Sequence, residues 1–234
     1  MNPLEMHVKL TFIDNILGTA AADPKIHASY IASKAPDAKS VEEEVAAIGA
    51  EAVTEEKMTI FSRDKNGCPV MWSYQIRGFF KPACSALRTI EGTKSSKVKA
   101  YKKTIDLRVL VFPDASDPSG RALPIRMEGD MDDCQRPLRA STPQGERVAL
   151  ANSESIGMSS TMEFDICLLD PHDRDLVMEW LDYGKYNGLG QWRNSGKGAF
   201  VWDLLSEDGS VIGGNAEEFR KMKTKKARSG AGVL

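Results

Sequence analysis

Apolar and polar residues alternate most regularly at the beginning of the chain. Leu4, Met6, Val8, Leu10 and Phe12 are each separated by one polar residue. Side chains point alternately to the two faces of a strand, so this pattern predicts a β-strand with one buried and one solvated face.

The final third of the chain has a strand, a helix and a second strand. Met162–Leu168 alternates like the first segment, and Asp170-Pro171 supplies a cap and a first-turn proline for a helix. Helical spacing then gives that helix one apolar stripe, formed by Leu176, Val177, Trp180 and Leu181. Gly184 would close the helix, and Phe200, Trp202 and Leu204 predict the last strand.

Two helices are predicted early in the chain, at Pro24–Lys34 and Ser40–Ala52. The first begins at Asp23-Pro24, and the second has Ser40 followed by Glu43 in the spacing of a capping box. We interpret both helices as an insertion after the first strand.

A hairpin and a helix follow. Asn66-Gly67 predicts a tight turn between strands at Met58–Phe61 and Val70–Ile76. Apolar residues at helical spacing then predict a helix over Phe79–Glu91, ended by Gly92.

The middle of the chain is less regular. Leu107–Phe112 predicts one strand, whereas Asp114–Gly157 has no periodicity and is rich in Pro, Gly, Ser and charge. We expect that stretch to be a functional loop or a protruding subdomain.

These elements follow the order of an α+β, ferredoxin-like (RRM-like) fold. That fold has an antiparallel sheet with helices on one face, which leaves the other face open for a ligand. We expect a single domain over residues 1–213, with large insertions at about 13–57 and 113–160. Residues 214–234 are basic and lack apolar periodicity, which predicts a mobile or partner-ordered tail.

Composition points to a soluble protein. The chain has no apolar run long enough to cross a membrane and no signal-peptide pattern, so we expect an intracellular location. Its four cysteines form no CxxC pair, which favours reduced thiols and suggests neither a disulfide framework nor a zinc site. No cofactor or metal is expected.

Charge is segregated along the chain. The net charge is −2, but Asp37–Glu56 is acidic, whereas Lys94–Lys103 and Lys221–Arg228 are basic. Such a distribution permits a local phosphate-binding track on a nearly neutral protein.

A glycine-rich loop is the sharpest local signal. It lies between the last predicted helix and strand, and its glycines are Gly188, Gly190, Gly196 and Gly198. Glycines let backbone N–H groups approach a phosphate closely, and Gln191, Trp192, Arg193 and Lys197 add an amide, a stackable ring and two cations. The loop lacks the GK[ST] ending of a Walker loop and precedes a strand, unlike a dinucleotide fingerprint. A simple chain reversal is the alternative interpretation.

This loop resembles the C-terminal glycine-rich loop of RAMP proteins, the ferredoxin-like family that supplies CRISPR effector subunits. The segment Ile76–Arg88 is similar to the RAMP stretch in which a turn and a lysine precede a helix ending in Ala-Leu-Arg, although Phe79-Phe80 depart from the family pattern. The resemblance covers a third to a half of the chain.

The resemblance implies binding of RNA, or of single-stranded nucleic acid, near Arg77, Lys81 and Arg88. It also implies self-association or assembly with CRISPR effector subunits, in the cytoplasm of a bacterial host cell. Arg88 as an ordinary solvated helix residue is the alternative.

Two other segments are candidates for nucleic-acid contact. In the lysine run, cations flank one aromatic residue, as expected of a flexible segment that tracks phosphates; its members are Lys94, Lys97, Lys99, Tyr101, Lys102 and Lys103. The segment Cys134–Arg147 carries Arg136, Arg139 and Arg147, which would pry between bases or hold a neighbouring subunit. A solvated connection is the alternative for the lysine run.

Evidence for catalysis is weak. His7 is a candidate general base, and Asp132 and Asp133, beside Asp130, are candidates for holding a divalent ion. Hydrogen-bonded or solvated side chains are the alternative for all of them. Two rival functions therefore remain open: a RAMP-like endoribonuclease, and a phage-encoded mimic of a CRISPR backbone subunit that acts as an inhibitor.

Overall fold

A computed structural model describes residues 2–21, 59–113, 123–142 and 145–222. The helices predicted at Pro24–Lys34 and Ser40–Ala52 and the last twelve residues of the basic tail lie outside the described residues. No described helix is long and apolar enough to cross a membrane.

The described residues form thirteen strands, three α-helices with both ends described, and the beginning of a further helix. In chain order the strands are β1 (Leu4–Phe12), β2 (Ile16–Leu17), β3 (Ala20–Ala21), β4 (Thr59–Ile60), β5 (Ser62–Arg63), β6 (Pro69–Trp72), β7 (Val109–Phe112), β8 (Pro124–Glu128), β9 (Met131–Thr142), β10 (Gly145–Ile156), β11 (Thr161–Leu168), β12 (Phe200–Leu205) and β13 (Val211–Gly214). The helices are α1 (Ser73–Leu87), α2 (Tyr101–Arg108) and α3 (Arg174–Asp182). We call the helical residues 216–222 the C-terminal helix.

Four strands form a central antiparallel sheet in the order β12-β1-β11-β7. Helix α1 lies between β1 and β7 in the chain, and α3 lies between β11 and β12. This connectivity and strand order are those of a ferredoxin-like fold, so the predicted fold class is confirmed. Strand β1 begins the chain yet lies in the middle of the sheet.

Both helices pack on the apolar face of the central sheet. The predicted alternation of β1 is confirmed, because Met6, Val8, Leu10 and Phe12 are all buried. Aromatic rings then link helix to helix: Phe80 of α1 lies 5.7 Å from Trp180 of α3, centroid to centroid. Trp180 also donates a hydrogen bond to Ser95 Oγ at 2.9 Å, which satisfies its indole N–H in the core.

The described residues of the middle segment, 123–142 and 145–157, are mostly strand, so the expectation of a loop over Asp114–Gly157 is wrong for them. β9 and β10 form a hairpin with twelve paired positions, and β10 also pairs with β2 and β4 to build a second sheet. Part of the segment also joins the main sheet, where β8 pairs with β6 and β11. Many of its residues are polar on both faces, and this hid the strand period of two.

The segment before α1 also differs from the sequence prediction. The hairpin at Asn66-Gly67 is confirmed, but β6 ends at Trp72 and α1 begins at Ser73, so the strand predicted over Val70–Ile76 is too long. The Gln75 side chain accepts the Trp72 backbone N–H at 2.8 Å and fixes this early helix start. The helix ends at Leu87, before the predicted Glu91.

The lysine run is helical in part. A short 3-10 turn over Ser95–Lys97 leads into α2, which occupies the first residues of the strand predicted over Leu107–Phe112. Glu179 of α3 accepts the backbone N–H groups of Lys94 and Ser95 at 2.7 and 2.9 Å and holds this segment in place. The lysine run therefore has regular structure over part of its length.

The start of the predicted basic tail is folded. Gly214 completes β13, and the C-terminal helix packs onto the central sheet with Ala216 buried. Arg220 donates to both carboxylate oxygens of Asp203 on β12, at 2.6 and 3.0 Å. A bidentate pair to a buried carboxylate anchors this helix.

Candidate nucleic-acid interface

The glycine-rich loop follows α3 and folds back on itself. The Leu189 N–H donates to the Gly198 carbonyl at 2.9 Å, and the Gly198 N–H donates to the Asn15 carbonyl at 2.8 Å. A Cβ on Gly188 would lie 1.8 Å from the Gly198 carbonyl oxygen. This close approach of two backbone segments is possible only for glycine.

The loop also touches the second sheet. A Cβ on Gly190 would lie 2.9 Å from the Leu17 carbonyl of β2. On the neighbouring hairpin, Arg136 of β9 donates from Nη2 to Gln191 Oε1 at 3.1 Å. Its guanidinium carbon lies 4.9 Å from the centre of the Trp192 ring. The predicted loop and the predicted arginine segment therefore meet, although far apart in sequence.

Arg136 carries a buried charge with little compensation. The residue is only 8% exposed, and its Nε and Nη1 have no hydrogen-bond partner among the described residues. No acidic side chain in the described part of the chain forms an ion pair with it. Buried charges are normally paired and hydrogen-bonded, so such an arrangement is uncommon in a purely structural position.

Trp192 is presented to solvent by an unusual backbone. Its φ angle is +55°, a left-handed conformation that bulky residues seldom adopt, and its surface is 39% exposed. The conformation stores strain of about 1–3 kcal/mol, which the surrounding contacts must offset. Arg193, the next residue, is exposed, and Lys197 lies 2.9 Å from the Asp14 carboxylate. We call the group Arg136, Gln191, Trp192, Arg193 and Lys197 the loop cluster.

The arginines of the hairpin divide into two cases. Arg136 joins the loop cluster, whereas Arg139 and Arg147 lie further along β9 and β10, one residue out of register with each other. The prediction of a loop over Cys134–Arg147 is wrong, because most of this segment is paired strand.

The loop cluster and the lysine run lie at opposite ends of the central sheet. Phe12 of β1 pairs with Phe200 at the loop end, and Leu4 pairs with Leu168 at the far end. At the far end, Arg108, which follows the lysine run, bonds to Asp170 and Asp173 just after β11. The nine residues of β1 separate the two ends by roughly 26 Å.

Several predicted cations are engaged within the fold. Lys81 pairs with Asp106 at 2.7 Å, Lys94 pairs with Asp175 at 3.2 Å, and the Arg88 guanidinium lies 5.4 Å from the Tyr101 ring centre. Arg77 is half-buried on α1. The remaining members of the lysine run are exposed and are Lys97, Lys99, Lys102 and Lys103.

The sheet face opposite the helices is acidic, which corrects the expectation of an open face suited to a nucleic acid. We call it the polar face; it carries Glu5, Glu163, Asp165 and Asp203 against Lys9 and Arg220. The C-terminal helix covers part of it through Arg220. A hydrogen bond from Lys9 at 2.6 Å holds the pKa of Glu163 below its usual range. Carboxylates here disfavour a phosphate chain.

The candidate catalytic residues do not come together. His7 Nδ1 lies 2.6 Å from Asp165 Oδ1 on the polar face, whereas Asp132 and Asp133 are exposed on β9 in the second sheet. In the described ranges, no group of three or more His, Cys, Asp or Glu side chains has an arrangement that would hold a metal ion. The geometry gives His7 a hydrogen-bonded structural role.

Two contacts at these sites carried no signal in the sequence. Asp14, the partner of Lys197, stands alone after β1 with no motif around it. Arg220, the partner of Asp203, lies in a segment whose charge density resembled a tail. Asp14 and Lys197 are 183 positions apart, and Asp203 and Arg220 lie on different elements. Local sequence patterns do not predict either contact.

No family model matches the sequence, and no curated protein matches it. Among solved structures, the chain is similar to one chain of the cryo-EM structure of the Type III-B Cmr-beta bound to cognate target RNA, with a TM-score of 0.46 and 10% sequence identity. The alignment covers 87% of this chain and 59% of that chain. The ferredoxin-like assignment rests on the strand order and connectivity of the central sheet.

Proposed function

We propose that this protein binds single-stranded nucleic acid, most suitably RNA, as a RAMP-like subunit of a larger assembly of the CRISPR effector type. The loop cluster is the binding site in this proposal. The assembly would be formed with further copies of the chain or with other effector subunits, in a bacterial cytoplasm.

The observation that carries the proposal is the position of Arg136 against Trp192. A buried cation without an acidic partner among the described residues lies under an exposed ring, and the exposed Arg193 adjoins that ring. Phosphate attraction and ring stacking are the two interactions by which proteins hold single-stranded nucleic acid. The glycine backbone brings these groups from two distant segments to one place.

Binding at the loop end is favoured over binding on the polar face. Phosphates approaching the polar face would meet Glu5 and Glu163, both exposed, and a bound C-terminal helix. The lysine run offers four exposed lysines at the far end, which we propose as a secondary track for a longer strand. Lys81 and Arg88 are engaged within the helical layer and contribute less.

Association with other subunits is supported by an exposed sheet edge. β13 pairs with β12 on one side and ends the order of the main sheet on the other. Its Val211 and Ile212 are more than half exposed. Apolar edge strands are sites of pairing with another chain unless they are covered.

The test is purification of the full chain followed by size-exclusion chromatography with absorbance at two wavelengths. We expect nucleic acid to co-purify, to be released by nuclease, and to rebind after removal. Fluorescence anisotropy with labelled single-stranded RNA should then give an affinity whose logarithm falls linearly with the logarithm of salt concentration.

A matched pair of variants locates the site. Arg193→Ala removes an exposed cation of the loop cluster, and Lys185→Ala removes an exposed cation that lies over Tyr186 near acidic side chains. We expect the first to lower both the affinity and the salt slope, and the second to change neither. Recovery of a protein complex with no nucleic acid would contradict the proposal and favour an inhibitory mimic.

A further inference from the structure

We propose that Trp192 is a stacking platform for one unpaired base, so that the ligand of the loop cluster is single-stranded and is held by a base as well as by its phosphates. The inference rests on the proposed function and makes it more specific. It names the residue that distinguishes a single strand from a duplex.

One face of the indole is already occupied. The Arg136 guanidinium lies 4.9 Å from the ring centre and is itself buried, so it covers the inner face of Trp192. Trp192 as a whole residue is 39% exposed, and because Arg136 covers the inner face we assign this exposure to the outer face and edge of the ring. A planar base stacked on that outer face would complete a layered arrangement of cation, indole and base.

The buried charge strengthens such stacking without touching the ligand. Nε and Nη1 of Arg136 are closed to solvent, and Nη2 is engaged by Gln191. The Arg136 cation therefore does not contact the ligand. It polarises the indole ring and attracts the phosphates electrostatically, and the low dielectric of a buried site strengthens both interactions. It draws the negatively charged strand toward the ring, while the exposed Arg193 is in position to meet a phosphate at the surface.

The backbone holds the ring in place before a ligand arrives. Trp192 keeps its left-handed φ of +55° because the loop is pinned on both sides, by the Leu189–Gly198 and Gly198–Asn15 hydrogen bonds. A ring fixed in advance loses little freedom on binding, which favours affinity. A base within a duplex is already stacked on both faces and cannot use this surface without leaving the helix.

The experiment compares three probes with the full chain: single-stranded RNA, the same sequence as a duplex, and an abasic strand of the same length. We expect Trp192→Ala to weaken single-stranded RNA about 5- to 150-fold, the range measured for one stacked base. The abasic strand should bind wild type and variant equally. Binding of single-stranded RNA should quench the fluorescence of wild type but not that of Trp192→Ala, which retains the half-buried Trp72 and the buried Trp180 and Trp202.

Two further variants guard against a folding defect. Trp192→Asn removes the ring but suits the left-handed backbone, so it should keep the loop intact and lose the same affinity as the alanine variant. Tyr186→Ala removes another exposed ring with a cation over it and should leave binding unchanged.

The outcomes separate the inference from the proposed function. If Trp192→Asn binds single-stranded RNA like wild type while Arg193→Ala does not, the platform is disproved and nucleic-acid binding stands. Equal affinity of wild type for duplex and single strand would likewise disprove the platform and leave nucleic-acid binding intact. Absence of binding by wild type to every probe overturns both.

Discussion

The loop cluster and the polar face are both rich in charge, but their charges are arranged differently. On the polar face the ionic groups are paired: Lys9 with Glu163 and His7 with Asp165 across two strands, and Asp203 with Arg220 of the C-terminal helix. In the loop cluster Arg136 has a ring and an amide but no carboxylate among the described residues. The ion pairs of the polar face occupy its charges within the fold, whereas the cation of Arg136 has no such partner among the described residues, and this difference is why we assign binding to the loop cluster.

The largest expected effect is a loss of stability when a glycine of the glycine-rich loop is replaced. Gly188→Ala places a methyl group 1.8 Å from the Gly198 carbonyl and should lower the free energy of unfolding by about 3 kcal/mol or more, because backbone must move. Gly78→Ala is the control: no atom lies within 4 Å, and a helical glycine replaced by alanine should raise stability by about 0.5–1 kcal/mol. Urea unfolding measures both. A Gly188→Ala cost below that of an ordinary surface substitution would show that the loop is not pinned.

The second effect is a smaller loss of stability when the Arg220–Asp203 pair of the polar face is broken. Arg220→Ala leaves the buried Asp203 carboxylate without its bidentate partner and should cost about 2–3 kcal/mol in unfolding free energy. Lys221→Ala breaks only the exposed pair with Glu217 and should cost less than about 0.5 kcal/mol. RNA affinity should be the same in both variants. If Arg220→Ala weakened RNA binding, the polar face would be part of the binding surface and the assignment to the loop cluster alone would be wrong.

The third prediction concerns Arg136, whose replacement should lower RNA affinity without lowering the free energy of unfolding. Arg136→Met replaces a buried, poorly compensated cation by an apolar chain of similar length, so the unfolding free energy should stay unchanged or rise by about 1 kcal/mol. Affinity for single-stranded RNA should fall about tenfold, since the ring loses the cation beneath it. Arg136→Lys should be intermediate in affinity. A large loss of stability in Arg136→Met would instead assign Arg136 a structural role.

The smallest effect is the pH dependence of the polar face. Lys9 lowers the folded-state pKa of Glu163 below its ordinary value of 4.5, so the pair stabilises the fold above that pH and the stabilisation is lost as pH falls through the folded pKa. Because Glu163 is exposed, Glu163→Gln should cost less than about 1 kcal/mol near pH 6 and close to nothing near pH 3. Urea unfolding at both pH values checks the sign. A larger cost at the lower pH would refute this assignment of the pair.

The sequence predicts the central sheet well because each of its strands has one apolar face. Apolar and polar residues alternate in β1 and β11, and α3 has an apolar stripe at helical spacing. The spacing of apolar residues therefore identified these elements, and their order along the chain indicated the fold. β9 and β10 failed the same test, since in both strands polar residues occur on each of the two faces and leave no such contrast. α1 began earlier than predicted because Gln75 caps it through a side chain that local pattern does not weigh.

The candidate site was predicted in its parts but not in its geometry. Trp192, Arg193 and the glycines were identified from the loop's composition, and Arg136 from a neighbouring cluster of arginines. Their contact depends on the insertion folding back onto the loop, 55 residues away along the chain. The lysine run lies at the end of the central sheet opposite the loop cluster. This position also depends on how distant segments pack, so residue spacing in the sequence did not predict it.

The central place of β1 has a consequence for synthesis of the protein. His7 bonds to a partner 158 positions later, and β1 pairs on its other side with β12, near the end of the described chain. Synthesis runs from the N-terminal side, so β1 remains without both of its neighbouring strands until β11 and then β12 have left the ribosome. The hairpin of β9 and β10 joins neighbouring residues and is free to form earlier. Among the described strands of the central sheet, β1 is therefore made early and paired late.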